Sequence, residues 1–310
     1  MSADPLSRRR TLPPDPIRDT LAVDGWPLRT VHWAGGDAGS ILFVGGRADF
    51  IEKYGEAYWA WRDAGFGVAT FDWRGQGLSG RTGVAPSVGH GDFNRWTDDL
   101  DAVVAWFVAT MPAPHFVVGH SMGGHLTLRH LARGRSPLQR GVLLAPMVGI
   151  RAVGVAPRVM RWLADRATGI GWGGRFALAQ RPYGAWQQRP ERQALLTGSP
   201  ERFGDERWWI DGDPDLAIGG ISFGWLSSAL ASIDTLFAPG ALETVKTPLL
   251  ILMGAREGLV DVAAVHRAAE RLPNATLHII PDGRHELLRE VDSIRDETQA
   301  RIVNFLKAAA

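Results

Sequence analysis

Residues 115–132, HFVVGHSMGGHLTLRHLA, join a strand-like apolar run, His115 to Gly119, to a helical run that begins at Met122 and continues to Arg133. The join is Gly119-His120-Ser121-Met122-Gly123, a G-x-S-x-G pattern in the setting that gives it meaning. A serine held at so tight a strand-to-helix turn has strained backbone angles. The flanking positions need Gly because a Cβ there would strike the neighbouring strand or helix. Gly119, Gly123 and Gly124 meet that need. The helix that starts after Ser121 also aims its free N–H groups and positive end at any negative charge formed beside the serine. A connector whose Ser merely caps a helix would carry the same letters. The strand before, the helix after and the central place in the chain favour a nucleophile.

Outward from this turn, short apolar runs alternate with helical periodicity, the mark of strands joined by helices over a mostly parallel sheet. Strands are expected at Leu28 to Trp33, Ser40 to Val44, Phe66 to Asp72, Gly141 to Ala145, Leu249 to Met253 and Thr276 to Ile280. Helical spacing links Ile51, Tyr54, Tyr58 and Trp61, and again Leu100, Val103, Val104, Phe107 and Val108, with Asp98, Asp99 and Asp101 read as the start of that second helix. Two more helices are expected at Val262 to Leu272 and about Val291 to Leu306. Between Val148 and Thr247 the strand-like runs vanish. Arg151 to Arg207 holds ten Arg and five acids, and the wider stretch carries Trp162, Trp172, Trp186, Trp208, Trp209 and Trp225. The expected division is a basic, Pro-rich segment over 1–20, an α/β core from 21–147 and 248–310, and an inserted helical cap over 148–247.

Composition narrows the chemistry. The chain has 310 residues, 45% hydrophobic and 22% charged, and a formal charge of +1, so it offers no field for gathering nucleic-acid phosphates. With no Cys, disulfides, thiolate metal sites and a cysteine nucleophile are excluded. No cofactor or metal is called for: no G-x-G-x-x-G follows a strand, and Asp211, Asp213 and Asp215, interrupted by Pro214, fall short of a calcium loop. MSADPLSRRRTLPPDP lacks the apolar stretch of a secretory signal, and no window approaches a membrane span, so the expected setting is cytoplasmic. Any membrane contact is expected to be peripheral, through the cap.

A serine hydroxyl needs an adjacent base, itself oriented by a third group. His285 is the candidate base, because it alone among the nine His lies just past a late strand, in the turn PDGRH, at the carboxyl edge of the sheet. His120, His125, His130 and His266 read as packed or exposed. The acid falls in GAREGLVD, where Asp261 has a full account as the cap of the following helix and Glu257 has none. Glu257 is preferred, with Asp261 as the alternative.

Taken together, GGRADFIEKY, GFGVATFDWRGQGLSGR, HGDFNRWTDDLDAVV, GHSMGG and DGRHELL, in this order between about Leu21 and Leu306, resemble the capped α/β-hydrolases of the monoacylglycerol lipase and lysophospholipase group. The chain departs from that pattern in having Glu257 where Asp is usual, and Gly45-Gly46-Arg47 where H-G is usual. The resemblance implies an oxyanion hole made by the main-chain N–H groups of Met122 and Arg47. It also implies a serine carboxylic-ester hydrolase with a small-molecule acyl ester as substrate, a lipid-like monoacyl ester being favoured by the Trp and Arg of the cap. The rivals are a proline-releasing type of aminopeptidase, whose acidic amine-binding cluster is not evident here, and a non-catalytic binding protein on the same fold.

Overall fold

Side-chain alternation within single strands builds the core on two faces at once. In a computed structural model, which describes residues 4–82, 91–151, 154 and 156–308, strand β3 (Ser40–Val44) sends Leu42 and Val44 to one face and Ile41 and Phe43 to the other. β5 (His115–His120) divides Val117 from Phe116 and Val118, and β7 (Leu249–Gly254) divides Leu249, Ile251 and Met253 from Leu250 and Leu252. Strands buried on both faces read as unbroken apolar runs and belong in the parallel middle of an α/β sheet.

With β1 (Ile17–Val23), β2 (Trp26–Trp33), β4 (Gly67–Phe71), β6 (Arg140–Leu144) and β8 (Ala275–Ile280), they form one eight-stranded sheet in the order β1-β2-β4-β3-β5-β6-β7-β8. β1, β2 and β4 pair antiparallel and every other neighbour is parallel. After the short α1 (Pro5–Arg10), the helix α2 (Gly55–Asp63) packs Tyr58 and Trp61 on the same face as Ile302 and Leu306 of the last helix. α3 (Phe93–Thr110) and α4 (Met122–Leu131) cover the other face through Leu100, Val103, Val104, Phe107 and Leu126.

Three local readings change. β1 begins inside the 1–20 segment; its first four residues are exposed, so an edge strand with one weakly buried face left no apolar run to detect. α3 starts at Phe93, not beside Asp98: Asp92 caps it, accepting from the N–H groups of Asn94 and Arg95 at 3.0 and 3.1 Å. Asp98, Asp99 and Asp101 therefore lie beyond the first turn and act through side-chain partners. Asp99 takes Arg74 at 2.6 Å, while Asp98 and Asp101 take Arg133. His90, the first residue of HGDFNRW, lies outside the described residues.

The segment 148–247 contributes helices α5 (Pro157–Ala167), α6 (Pro190–Leu196), α7 (Pro200–Gly212) and α8 (Phe223–Phe237), with residues 152, 153 and 155 outside the described set. Parallel β6 and β7 need a crossover, because Gly141 is paired with Leu249 and the chain leaves β6 at the opposite end. α8 makes that return and buries Trp225, Leu226, Ala229 and Leu236 in the main core, so the last quarter of this segment does the work of a core helix. α9 (Val262–Arg271) and α10 (Asp292–Lys307) complete the layers. Of the six Trp, Trp225 is buried and Trp209 partly so, whereas Trp162, Trp172, Trp186 and Trp208 are 44–60% exposed and fill no local core.

Candidate active site

Three side chains from three strand ends meet at the carboxyl edge of the sheet. Ser121 stands between β5 and α4 at φ 50° and ψ −114°, a strained conformation for any residue with a side chain. Neighbouring backbone holds it there: its N–H donates to the Leu144 carbonyl at 2.9 Å, and its own carbonyl accepts from His125 and Met147 at 3.0 Å each. The glycine requirement is steric. A Cβ on Gly123 would lie 2.2 Å from the Val44 carbonyl oxygen, and one on Gly119 2.9 Å from the Gly124 Cα.

His285 sits in the turn after β8 with Nε2 3.0 Å from the Ser121 Oγ and Nδ1 2.8 Å from Oε2 of Glu257. Glu257 follows β7, and its other oxygen accepts from the N–H groups of Leu259 and Val260 at 2.6 and 3.2 Å. Asp261 turns to its own helix, accepting from Ala263 N–H at 3.0 Å as the cap of α9, and makes no bond to His285. Burial of the imidazole disfavours its charge, but the Glu257 carboxylate outweighs burial and, with Glu286 and Asp49 adding, raises the His285 pKa above the ordinary value. Burial likewise pushes Glu257 up, and His285 together with the two main-chain donors brings it below its ordinary value.

The Arg47 loop is fixed on both sides. Gly46 N–H donates to the Asp49 Oδ2 and Ala48 N–H to the Gln76 Oε1, each at 2.6 Å. Between them, no described residue accepts from the main-chain N–H of Arg47, nor from that of Met122 in the first turn of α4. Among the described residues no group of His, Asp and Glu could hold a metal ion, and no helix is long and apolar enough to cross a membrane.

Beside this set lies a buried ionic cluster that sequence reasoning missed. Lys53 Nζ reaches Asp49 and Glu286 at 2.8 Å and Glu206 of α7 at 2.9 Å; Arg289 reaches Glu286 at 2.5 Å, and Arg192 reaches Glu206 at 3.3 Å. Three carboxylates thus face three cations. Burial alone would push all three acids up, but the adjacent cations hold Asp49 well below its ordinary value, Glu206 below it and Glu286 at about 2. His120, read as packed, shares Asp49 Oδ2 with Tyr54, at 2.9 and 3.0 Å, and its ring lies 5.0 Å from that of His285. Lys53 and Glu286 are separated by 233 positions, so the only local signals were Asp49 with Lys53 and Glu286 with Arg289 at helical spacing.

The chain's likeness to known proteins points the same way. The model of the Hydrolase_4 family, described as Serine aminopeptidase, S33, matches residues 36–292. Lysophospholipase L2 of Escherichia coli is 29% identical over 91% of this chain and 85% of its own length. A probable lysophospholipase L2 of Haemophilus influenzae is 28% identical over 86% of this chain and 83% of its own. The solved monoacylglycerol lipase of Paleococcus ferrophilus superposes with a TM-score of 0.71 at 21% identity, covering 91% of this chain and 99% of that one.

Proposed function

The chain belongs to the Hydrolase_4 family of α/β-hydrolases, and from that premise we propose that it hydrolyses a lipid-like monoacyl ester, a lysophospholipid or a monoacylglycerol, through an acyl-enzyme on Ser121. It is a carboxylic-ester hydrolase. The observation that carries the mechanism is the unbroken line from Glu257 through His285 to Ser121, at 2.8 and 3.0 Å, ending on a strained and fully supported turn.

His285 Nε2 takes the proton as Ser121 Oγ attacks the acyl carbon. Glu257 holds Nδ1–H and thereby fixes the tautomer that leaves Nε2 free to accept. The free amides of Met122 and Arg47 receive the oxyanion in a loop that cannot relax, since Gly46 and Ala48 are tied on either side. His285 then passes its proton to the leaving alcohol, and the same imidazole activates water to release the acid. Asp49 and His120 act as positioning residues for the Arg47 loop and the His285 turn.

An aminopeptidase would need a carboxylate left free for the substrate's ammonium group. Glu286, next to His285 in the chain, and Glu206 are buried in the adjoining cluster, but Lys53, Arg289 and Arg192 already engage them. The proposed cap over the site is residues 148–222, whose outer surface interleaves exposed Val159, Trp162, Ile170, Trp172 and Trp186 with Arg158, Arg161, Arg166, Arg175 and Arg189. Amphipathic rings beside guanidinium groups suit peripheral contact with a lipid surface.

The deciding experiment is a panel of acyl esters, monoacylglycerols, lysophospholipids and aminoacyl amides assayed with the wild type and Ser121→Ala. Catalytic efficiency is expected to rise with acyl length, each buried methylene contributing up to ~0.8 kcal/mol. A profile that peaks at acetate would remove the lipid assignment and leave the esterase; turnover of the amides alone would favour the peptidase.

A further inference from the structure

We propose that the Arg47 side chain binds the phosphate of an anionic head group, making a phosphate-bearing lysolipid the preferred substrate over a neutral monoacylglycerol; this rests on the ester-hydrolase reading above. Arg47 stands at the reacting serine: a Cβ on the preceding Gly46 would lie 3.2 Å from the Ser121 Cβ. While its main-chain N–H stays free, its side chain runs under the 148–247 segment, where the guanidinium donates to the Gly219 carbonyl at 2.5 Å and lies 5.7 Å from the centre of the Trp225 ring.

This arginine has no counter-charge. Arg29, Arg74, Arg202 and Arg289 are each paired with at least one carboxylate, whereas Arg47 pairs with none. None of the residues outside the described set is Asp or Glu, so no acid of this chain fills the role. Its buried Nε has no hydrogen-bond partner among the described residues. The charge that acts on it is another cation, Arg192, already engaged by Glu206. Burial, with Arg192 adding, pulls Arg47 down to about 9, which leaves it a cation at neutral pH.

A half-buried cation whose Nε is buried and unused is costly unless an anion meets it, and a guanidinium fork matches phosphate oxygens in shape as well as charge. Reach agrees. The guanidinium carbon is separated from the Arg47 amide nitrogen by as many covalent bonds as separate the phosphorus of a 1-acyl lysophospholipid from its acyl carbon. With the oxyanion on the amide, the head group extends along the side chain. Arg47 keeps partial exposure, as a group facing an open site would.

The test compares a lysophosphatidic acid with the 1-monoacylglycerol of the same acyl chain, in the wild type, Arg47→Gln and Arg47→Lys. The ratio of kcat/KM, charged over neutral, is expected to fall about tenfold or more in Arg47→Gln, mainly through KM, and to recover in part in Arg47→Lys. In parallel, Ser121→Ala and Ser121→Ala/Arg47→Gln proteins are titrated calorimetrically with glycerol 3-phosphate and with inorganic phosphate. Binding of glycerol 3-phosphate is expected in the first and lost in the second. An equal fall on both lipids would mean that Arg47 only supports the loop, and would overturn the proposal. So would unchanged glycerol 3-phosphate binding, and inorganic phosphate binding equally well with an unmoved ratio would make this a general anion site. Should the wild type cleave neither lipid, the ester-hydrolase reading fails, and the titrations still decide Arg47.

Discussion

Two fully buried serine–histidine pairs among the described residues share almost the same contact distance, and they are built for opposite ends. His285 Nε2 lies 3.0 Å from Ser121 Oγ; His125 Nε2 lies 2.7 Å from Ser232 Oγ. Behind His285 stands a carboxylate, and the imidazole is raised above its ordinary pKa. Behind His125 there is none: burial, with Arg129 adding, drives it down to about 3, and Arg129 donates to the same hydroxyl at 2.6 Å. Ser121 sits at a strained turn; Ser232 sits within α8, with ordinary helical neighbours on both sides. The second pair ties the crossover helix to α4. Hydrogen-bond reach between Ser and His is therefore not a sign of catalysis, and a carboxylate behind the imidazole is not enough, since Asp101, His130 and Ser136 also line up, at 2.5 and 3.0 Å, at a partly exposed site; the strained presentation of the hydroxyl is what Ser121 adds.

The largest expected break is Ser121→Ala, which should lose ~10⁴–10⁶-fold in kcat with its melting temperature nearly kept, because the hydroxyl supports no core contact. A fluorophosphonate probe should label wild-type Ser121 and leave Ser232 unmodified, as read by peptide mass mapping. Retention of a tenth of the activity in Ser121→Ala, or label on Ser232, would sink the distinction.

Glu257→Gln tests the third group. Turnover should fall by ~10⁴-fold, the scale seen when the orienting carboxylate of such a triad is neutralised. The sign of the pH effect follows from the raised His285. The base must be neutral, so wild-type kcat/KM is lost on acidification through a pKa above the ordinary histidine value. With the main raising charge gone, burial is opposed only by the more distant Glu286 and Asp49, and the residual activity of Glu257→Gln should keep its acid limb to lower pH. An acid limb that does not move would show that Glu257 does not set the His285 charge.

The smallest effects belong to the structural partners. Ser232→Ala should cost about 1 kcal/mol in denaturant unfolding by removing a hydrogen-bond partner of His125, and Asp261→Ala about the same as a lost helix cap, both with kcat close to wild type. If Asp261→Ala were the inactive variant and Glu257→Gln normal, the acid would be misassigned.

The fold was legible because its central strands are buried on both faces. Leu249 to Met253 and Ser40 to Val44 have no polar side to blur the run, whereas β1 lies at the edge, exposed along Ile17 to Thr20, and left no such trace. Ser121 and Glu257 could be singled out because each follows one of these strands, and His285 because it lies in the turn after the apolar run of the edge strand β8. The buried cluster around Lys53 could not: its members come from separate stretches of chain, and a charged residue in sequence reads as a solvated surface until its partners are brought to it. The crossover role of α8 was hidden similarly, since its Trp and Ser content matched the segment before it more than the core it joins.

That crossover has a consequence for how such a chain can change over generations. Because α8 restores the path from β6 to β7, the stretch between Met147 and Ser222 carries no strand of the sheet, and its β-like ties among described residues are the isolated bridges Ile150–Val260 and Phe176–Ser222. It is a cassette. Duplication and drift can lengthen its exposed turns or replace its exposed tryptophans while the sheet keeps its register, whereas Arg192, Arg202 and Glu206 are bound to the scaffold through buried ion pairs and have to change together with their partners.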